Sequence, residues 1–97
     1  MKTTAEIIRI LGDFKDHQAE RYGISRLGVF GSVARQEQTE GSDVDIFYEG
    51  DPHGLVELSR LKIELESILG CPIDIVRMRD RMNLILRERI EREGVYV

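Results

Sequence analysis

A chain of 97 residues with one third of its side chains charged and a formal net charge of −4 is sized for one domain, residues 1–97, and leaves no room for a second substrate-binding domain. The acidic balance, with a pI near 5.2, disfavours a groove that tracks nucleic-acid phosphates, because such grooves draw their affinity from lysine and arginine. No apolar leader and no run approaching ~20 apolar residues occurs, and the single cysteine, Cys71, can form no internal disulfide, so a cytoplasmic setting is expected.

The first predicted element is a helix. Thr3 and Glu6 have the spacing of a capping box, and Ile7, Ile8, Leu11 and Phe14 recur at helical intervals before Gly23 stops the segment. Arg26–Phe30 then reads as a short buried strand, ended by Gly31 where the backbone must turn, with Ser32–Arg35 starting a short helix. A polar connection, Gln36–Glu40, leads to a second apolar run, Val44–Tyr48. Asp51 and Pro52 predict a helix start, followed by the stripe Leu55, Leu58, Leu61, Leu65, Ile68 and Leu69 and a stop at Gly70.

Pro72–Val76 is a third strand-like run. Asp80 is the expected cap of a last helix to Glu93, with Met82, Ile85, Leu86 and Ile90 inward, before a short Val95–Val97 tail. The order gives an α/β (α+β) domain: a small mixed β-sheet flanked by helices. Arginines 77, 79, 81, 87, 89 and 92 are interleaved with Asp80, Glu88, Glu91 and Glu93, the pattern of a solvated helix face. His17 and His53 read as surface residues, and Cys71 reads as a small buried residue rather than a nucleophile.

Chemistry concentrates at the strand ends. A glycine and a serine at a strand-to-helix turn, Gly31 and Ser32, offer backbone N–H groups and a hydroxyl to a polyphosphate. Asp43 and Asp45 are two apart on an extended segment, so their Cα atoms lie about 6.6 Å apart and the carboxylates share a face. Asp74 stands in an apolar strand, where a carboxylate is out of place unless it meets a cation. Three acids aimed at one end of a small sheet would repel one another without a cation, whereas Mg²⁺ takes hard oxygen ligands from one or two carboxylates and substrate phosphates.

Gly31-Ser32-Val33-Ala34-Arg35, Gly41-Ser42-Asp43-Val44-Asp45-Ile46 and Ile73-Asp74-Ile75-Val76 together resemble the nucleotidyltransferase superfamily that includes DNA polymerase beta. The short length and the ending Glu93-Gly94-Val95 are similar to its minimal nucleotidyltransferase (MNT) group. The resemblance implies that Gly31, Ser32, Arg35 and Ser42 bind the nucleotide, and that Asp43, Asp45 and Asp74 are the catalytic acids that hold two Mg²⁺ ions. On the residues alone, Arg35 could instead pair with Glu37 or Glu40.

The resemblance further implies an MNT antitoxin that transfers AMP from ATP to a tyrosine hydroxyl of a HEPN toxin ribonuclease, its partner. Two other readings stay open at the level of sequence. One is a non-catalytic antitoxin that neutralises its partner by covering it; the other is nucleotidyl transfer to a small molecule. No side chain stands out as a general base.

Overall fold

Local signals account for most element boundaries in the structure, a computed structural model that describes residues 2–97. Helix α1 (Thr4–Gln18) is capped by the Thr3 hydroxyl, which accepts from the Glu6 backbone N–H at 3.1 Å and donates its own hydrogen bond to the Glu6 carboxylate at 3.2 Å. A 3₁₀ turn, Ala19–Tyr22, extends it to Gly23, whose left-handed φ of 65° ends the segment. Strand β1 (Ile24–Phe30) and the single helical turn α2 (Gly31–Ala34) follow.

Strand β2 (Val44–Gly50) pairs antiparallel with β1, and helix α3 (Leu55–Leu69) carries the chain back to strand β3 (Ile73–Arg77), parallel to β2. A parallel neighbour requires such a crossover, because the chain must return to the same end of the sheet. Helix α4 (Leu84–Glu93) leads to strand β4 (Val95–Tyr96), and the sheet order is β3-β2-β1-β4.

The two faces of the sheet differ. On one, Leu27, Val29, Val44, Ile46, Tyr48 and Ile73 pack against α1 and α3 to form the main core with Ile7, Leu11, Phe14, Leu61, Leu65 and Leu69. On the other, Phe30 and Phe47 meet Ile90 of α4 in a smaller cluster edged by Leu86, Met78 and Met82. Gly28 is required there, since an added Cβ would come within 2.5 Å of the Val95 carbonyl and 2.6 Å of the Phe47 ring. That close approach lets β4 pair with β1 through Gly28 and Val29. The final residues, expected as a tail, are therefore a fourth strand.

Other expectations shift. Helix α3 starts three residues later than the Asp51-Pro52 signal, because Asp51 donates its N–H to the Gly23 carbonyl at 3.0 Å and continues the β1–β2 pairing, leaving Gly54 as the cap. Its buried stripe is Leu61, Leu65 and Leu69, while Leu55 is 84% exposed. Helix α4 is capped by the Asn83 side chain, which accepts from the Leu86 N–H at 3.0 Å, and not by Asp80. With that phase the inward positions are Leu86 and Ile90, and Ile85 faces solvent. His53 lies in the loop before α3, its ring stacked on Tyr48 and bonded to the Tyr48 hydroxyl and the Tyr22 carbonyl; it is a structural rather than a surface residue. Among the described residues no helix is long and apolar enough to cross a membrane.

Candidate active site

The end of the sheet where β1 leaves and β2 and β3 begin carries the predicted acids. Asp45 opposes Phe30 of β1 on one side and Asp74 of β3 on the other, in register on adjacent strands. Register partners share a face, so Asp45 and Asp74 both lie on the α4 side, away from the main core. Asp43 stands exposed two residues earlier, in the approach to β2, where the Val44 N–H bonds to the Pro72 carbonyl. Asp45 and Asp74 are thus neighbours on one face, and Asp43 is near enough for its charge to act on Asp45.

Their electrostatics reflect the crowding. The Asp45 carboxyl is pushed above the ordinary aspartate value, first by burial and then by the charge of Asp74, with Asp43 adding to the rise and Arg89 and Arg35 opposing it. Among the described residues no group of three or more His, Cys, Asp or Glu side chains is arranged to hold a metal ion as it stands. The donor set nevertheless fits Mg²⁺: it is all carboxylate, Arg89 and Arg35 only partly offset its burial and like-charge repulsion, and that ion ordinarily completes its shell with water and substrate phosphates.

Gly31 forms the opposite wall. Its φ is 69°, and a Cβ there would run into the Asp45 carboxylate, so the turn from β1 into α2 is open to glycine alone. Its N–H, expected to face a phosphate, instead donates to Glu93 Oε2 at 3.0 Å. Arg35, the first residue past α2, donates Nη1 to Glu93 Oε1 at 3.0 Å and Nε to Glu37 at 3.2 Å. The pairing with Glu37 was one of two open alternatives; that with Glu93 crosses from α2 to the end of α4. Ser32 is half-buried beside Gly31. Ser42 bonds back to Thr39 through both its N–H and its hydroxyl, closing the turn ahead of Asp43, and lines a cleft of about 520 Å³ with Lys2, Gly41, Cys71 and Pro72. Cys71, expected to be buried, is only half-buried, and that burial pushes its thiol up.

Two residues of this site were missed in the sequence. Arg89 and Glu93 belong to the mixed-charge run read as a solvated face, yet both turn toward Gly31. Arg89 Nε pairs with Glu93 Oε2 at 3.5 Å, its guanidinium lies 5.7 Å from the centre of the Phe30 ring, and its charge is felt by Asp45. Burial acts to raise the Glu93 carboxyl, but the Gly31 N–H, Arg35 and Arg89 outweigh it and hold the group below the ordinary glutamate value. The i,i+4 spacing of Arg89 and Glu93 was visible; that Gly94 and β4 would bring this end of α4 onto β1 was not.

Residues 7–97 match the model of the nucleotidyltransferase domain family. The chain belongs to that family. Among these nucleotidyltransferases, the protein adenylyltransferase MntA of Thermococcus cleftensis is 39% identical over 99 residues, covering all of this chain and 98% of that one. A solved toxin–antitoxin complex with AMP-PNP has a TM-score of 0.71 at 23% identity, covering 98% of this chain and 72% of that one. A solved complex of a tri-AMPylated Shewanella oneidensis HEPN toxin with its MNT antitoxin has a TM-score of 0.61 at 21% identity, covering 96% and 66%. At those identities the two complexes establish the shared fold: a mixed four-stranded sheet with helices, as expected.

Proposed function

We propose that this nucleotidyltransferase transfers AMP from ATP to a hydroxyl of a partner protein, a tyrosine of a HEPN toxin ribonuclease, and thereby acts as an antitoxin. The observation that carries the reading is the in-register pair Asp45 and Asp74, with Asp43 alongside, facing a glycine turn flanked by arginines. The named activity of the Thermococcus relative, and the AMPylated toxin held by the Shewanella antitoxin, support the choice of donor and acceptor.

The acceptor oxygen forms a bond to the α-phosphorus of ATP, the bond from that phosphorus to the bridging oxygen of the β-phosphate breaks, and pyrophosphate leaves while the hydroxyl proton passes to water. Asp43, Asp45 and Asp74 would hold Mg²⁺, which when bound supplies Lewis-acid stabilisation of charge on the reacting oxygens. The chain's own part is position and field. Gly31 keeps side-chain atoms out of the space before Asp45, Ser32 offers its hydroxyl beside that space, and Arg35 brings positive charge to the triphosphate. Ser42 shapes the turn that presents Asp43.

The test mixes the protein, Mg²⁺ and α-labelled ATP with the toxin of its own operon or an adjacent small helical protein, comparing wild type with Asp43→Asn/Asp45→Asn. Label on the partner with wild type alone supports the transfer. Neutralisation of the partner by both proteins, without label, would replace it with inhibition by binding.

A further inference from the structure

The site holds one more cation than the motif accounts for. Arg89 reaches it from α4, an element separate from the glycine turn, the two strands of acids and Arg35. Its Nη2 lies 3.4 Å from the position a Gly31 Cβ would occupy, the same small space that the Asp45 carboxylate borders. The side chain is 41% exposed, so a ligand can reach it.

Its orientation is fixed from two sides. Glu93 engages the inner nitrogen, Nε, at 3.5 Å, and the Phe30 ring lies beneath the guanidinium, which leaves the terminal nitrogens to point past Gly31. Glu93 is itself anchored. It is the last residue of α4, Gly94 behind it donates its N–H to the Ile90 carbonyl at 2.7 Å, and Val95 is already paired with Val29 of β1. A carboxylate held so firmly is a brace for two arginines rather than a plug that leaves when substrate arrives. It also occupies the Gly31 N–H, so the positive groups left for an anion at this turn are the free guanidinium ends.

We propose that Arg89 is a further phosphate-binding residue of the site, gripping the β- and γ-phosphates of the incoming nucleoside triphosphate, with Glu93 as the positioning residue that aims it and Arg35. This rests on the nucleotidyl-transfer reading. A planar fork with two free N–H edges suits phosphate oxygens, and a second fixed cation offsets the repulsion between three aspartates and a triphosphate.

The experiment measures binding of AMP-PNP and of AMP, each with Mg²⁺, by titration calorimetry to wild type, Arg89→Met, Glu93→Gln and, as a control on the outer face of α4, Arg92→Met. Methionine keeps the stem over Phe30, and a melting curve establishes that each variant is folded. Loss of a charge-assisted contact should weaken AMP-PNP by about tenfold or more in Arg89→Met, with AMP altered less than about twofold and Arg92→Met at wild-type affinity. Glu93→Gln should weaken AMP-PNP in the same sense and raise the KM for ATP more than it lowers kcat. Unchanged AMP-PNP binding by Arg89→Met, or equal weakening of AMP and AMP-PNP, would overturn the role of Arg89 alone. Tighter binding by Glu93→Gln would overturn its role as a brace. Failure of wild type to bind AMP-PNP would sink the nucleotidyl-transfer reading and Arg89's part with it.

Discussion

Asp45 and Asp74 are register partners on the adjacent parallel strands β2 and β3, which obliges two carboxylates to share one face at one end of the sheet. The backbone imposes the arrangement, since neither side chain can turn to the opposite face without a register slip that would also expose Ile46 and Ile73. Burial first, and then the neighbouring charge of Asp74, push the Asp45 carboxyl above its ordinary value.

That upward shift has a sign in stability. A carboxyl whose folded value lies above its unfolded value contributes most below the unfolded value, ordinarily 3.8, and loses that contribution as pH rises through the folded one. Asp45→Asn never ionises, so in the presence of a chelator it should melt higher than wild type at neutral pH, and the advantage should shrink as pH falls toward 4. Melting curves between pH 4 and pH 8 check this. A gap that stays constant across the range would mean that folding does not raise the Asp45 carboxyl.

Binding should reverse the order. Ligand that binds only the folded state raises the melting temperature more the tighter it binds, as the logarithm of its concentration over Kd, and Mg²⁺ with ATP relieves the carboxylates only where they are present. Wild type should therefore gain more from Mg²⁺ and ATP together than Asp45→Asn does, and neither should gain as much from ATP with a chelator. Differential scanning fluorimetry reads the result; equal gains in both proteins would count against the three acids as a metal site.

Gly31 is the position where a single methyl should do most harm. Its left-handed backbone is strained for any L side chain, and the added Cβ would enter the space of the Asp45 carboxylate and touch Arg89. Gly31→Ala is expected to cost about 1–3 kcal/mol in urea denaturation and to abolish label transfer. A midpoint within error of wild type would show that the turn relaxes freely.

Much of this was legible because the signals were local. Thr3 with Glu6, Gly23 at the end of the first helix, and the apolar run Val44–Tyr48 each report backbone chemistry within a few residues. So do Asp43 and Asp45, whose spacing alone places them together. Asp74 needed only the third strand to be parallel to the second. What escaped had two sources: Asp51 continues a hairpin with the distant Gly23 rather than capping a helix, and α4 starts at Asn83 rather than Asp80 and packs Leu86 and Ile90, not Ile85, against Phe30 and Phe47. Arg89 and Glu93 were indistinguishable from ordinary surface ion pairs until β4 closed on Gly28. What sets them apart is contact with Gly31 and Arg35, more than fifty positions away.

Glu93 supplies the converse of the Asp45 linkage. Its carboxyl is held below the ordinary value of 4.5 because the Gly31 N–H, Arg35 and Arg89 all favour the charged form over the opposing effect of burial. A group with a depressed folded value contributes stability above its unfolded value and loses it as pH falls through the folded one. Glu93→Gln keeps the size and one acceptor oxygen but not the charge, so it should be less stable than wild type at neutral pH. The two should converge as pH drops from 4.5 downward, where wild type protonates Glu93 and becomes the electrical equal of the variant. Glu91→Gln is the control, since Glu91, 57% exposed, pairs among the described residues with the half-buried Arg87 at 3.0 Å and not with the glycine turn. Acid-side melting curves of the three proteins decide the matter: a Glu93→Gln deficit that persists unchanged below pH 4 would assign the loss to altered packing, and the charge at the end of α4 would then have no part in holding the glycine turn and its arginines together.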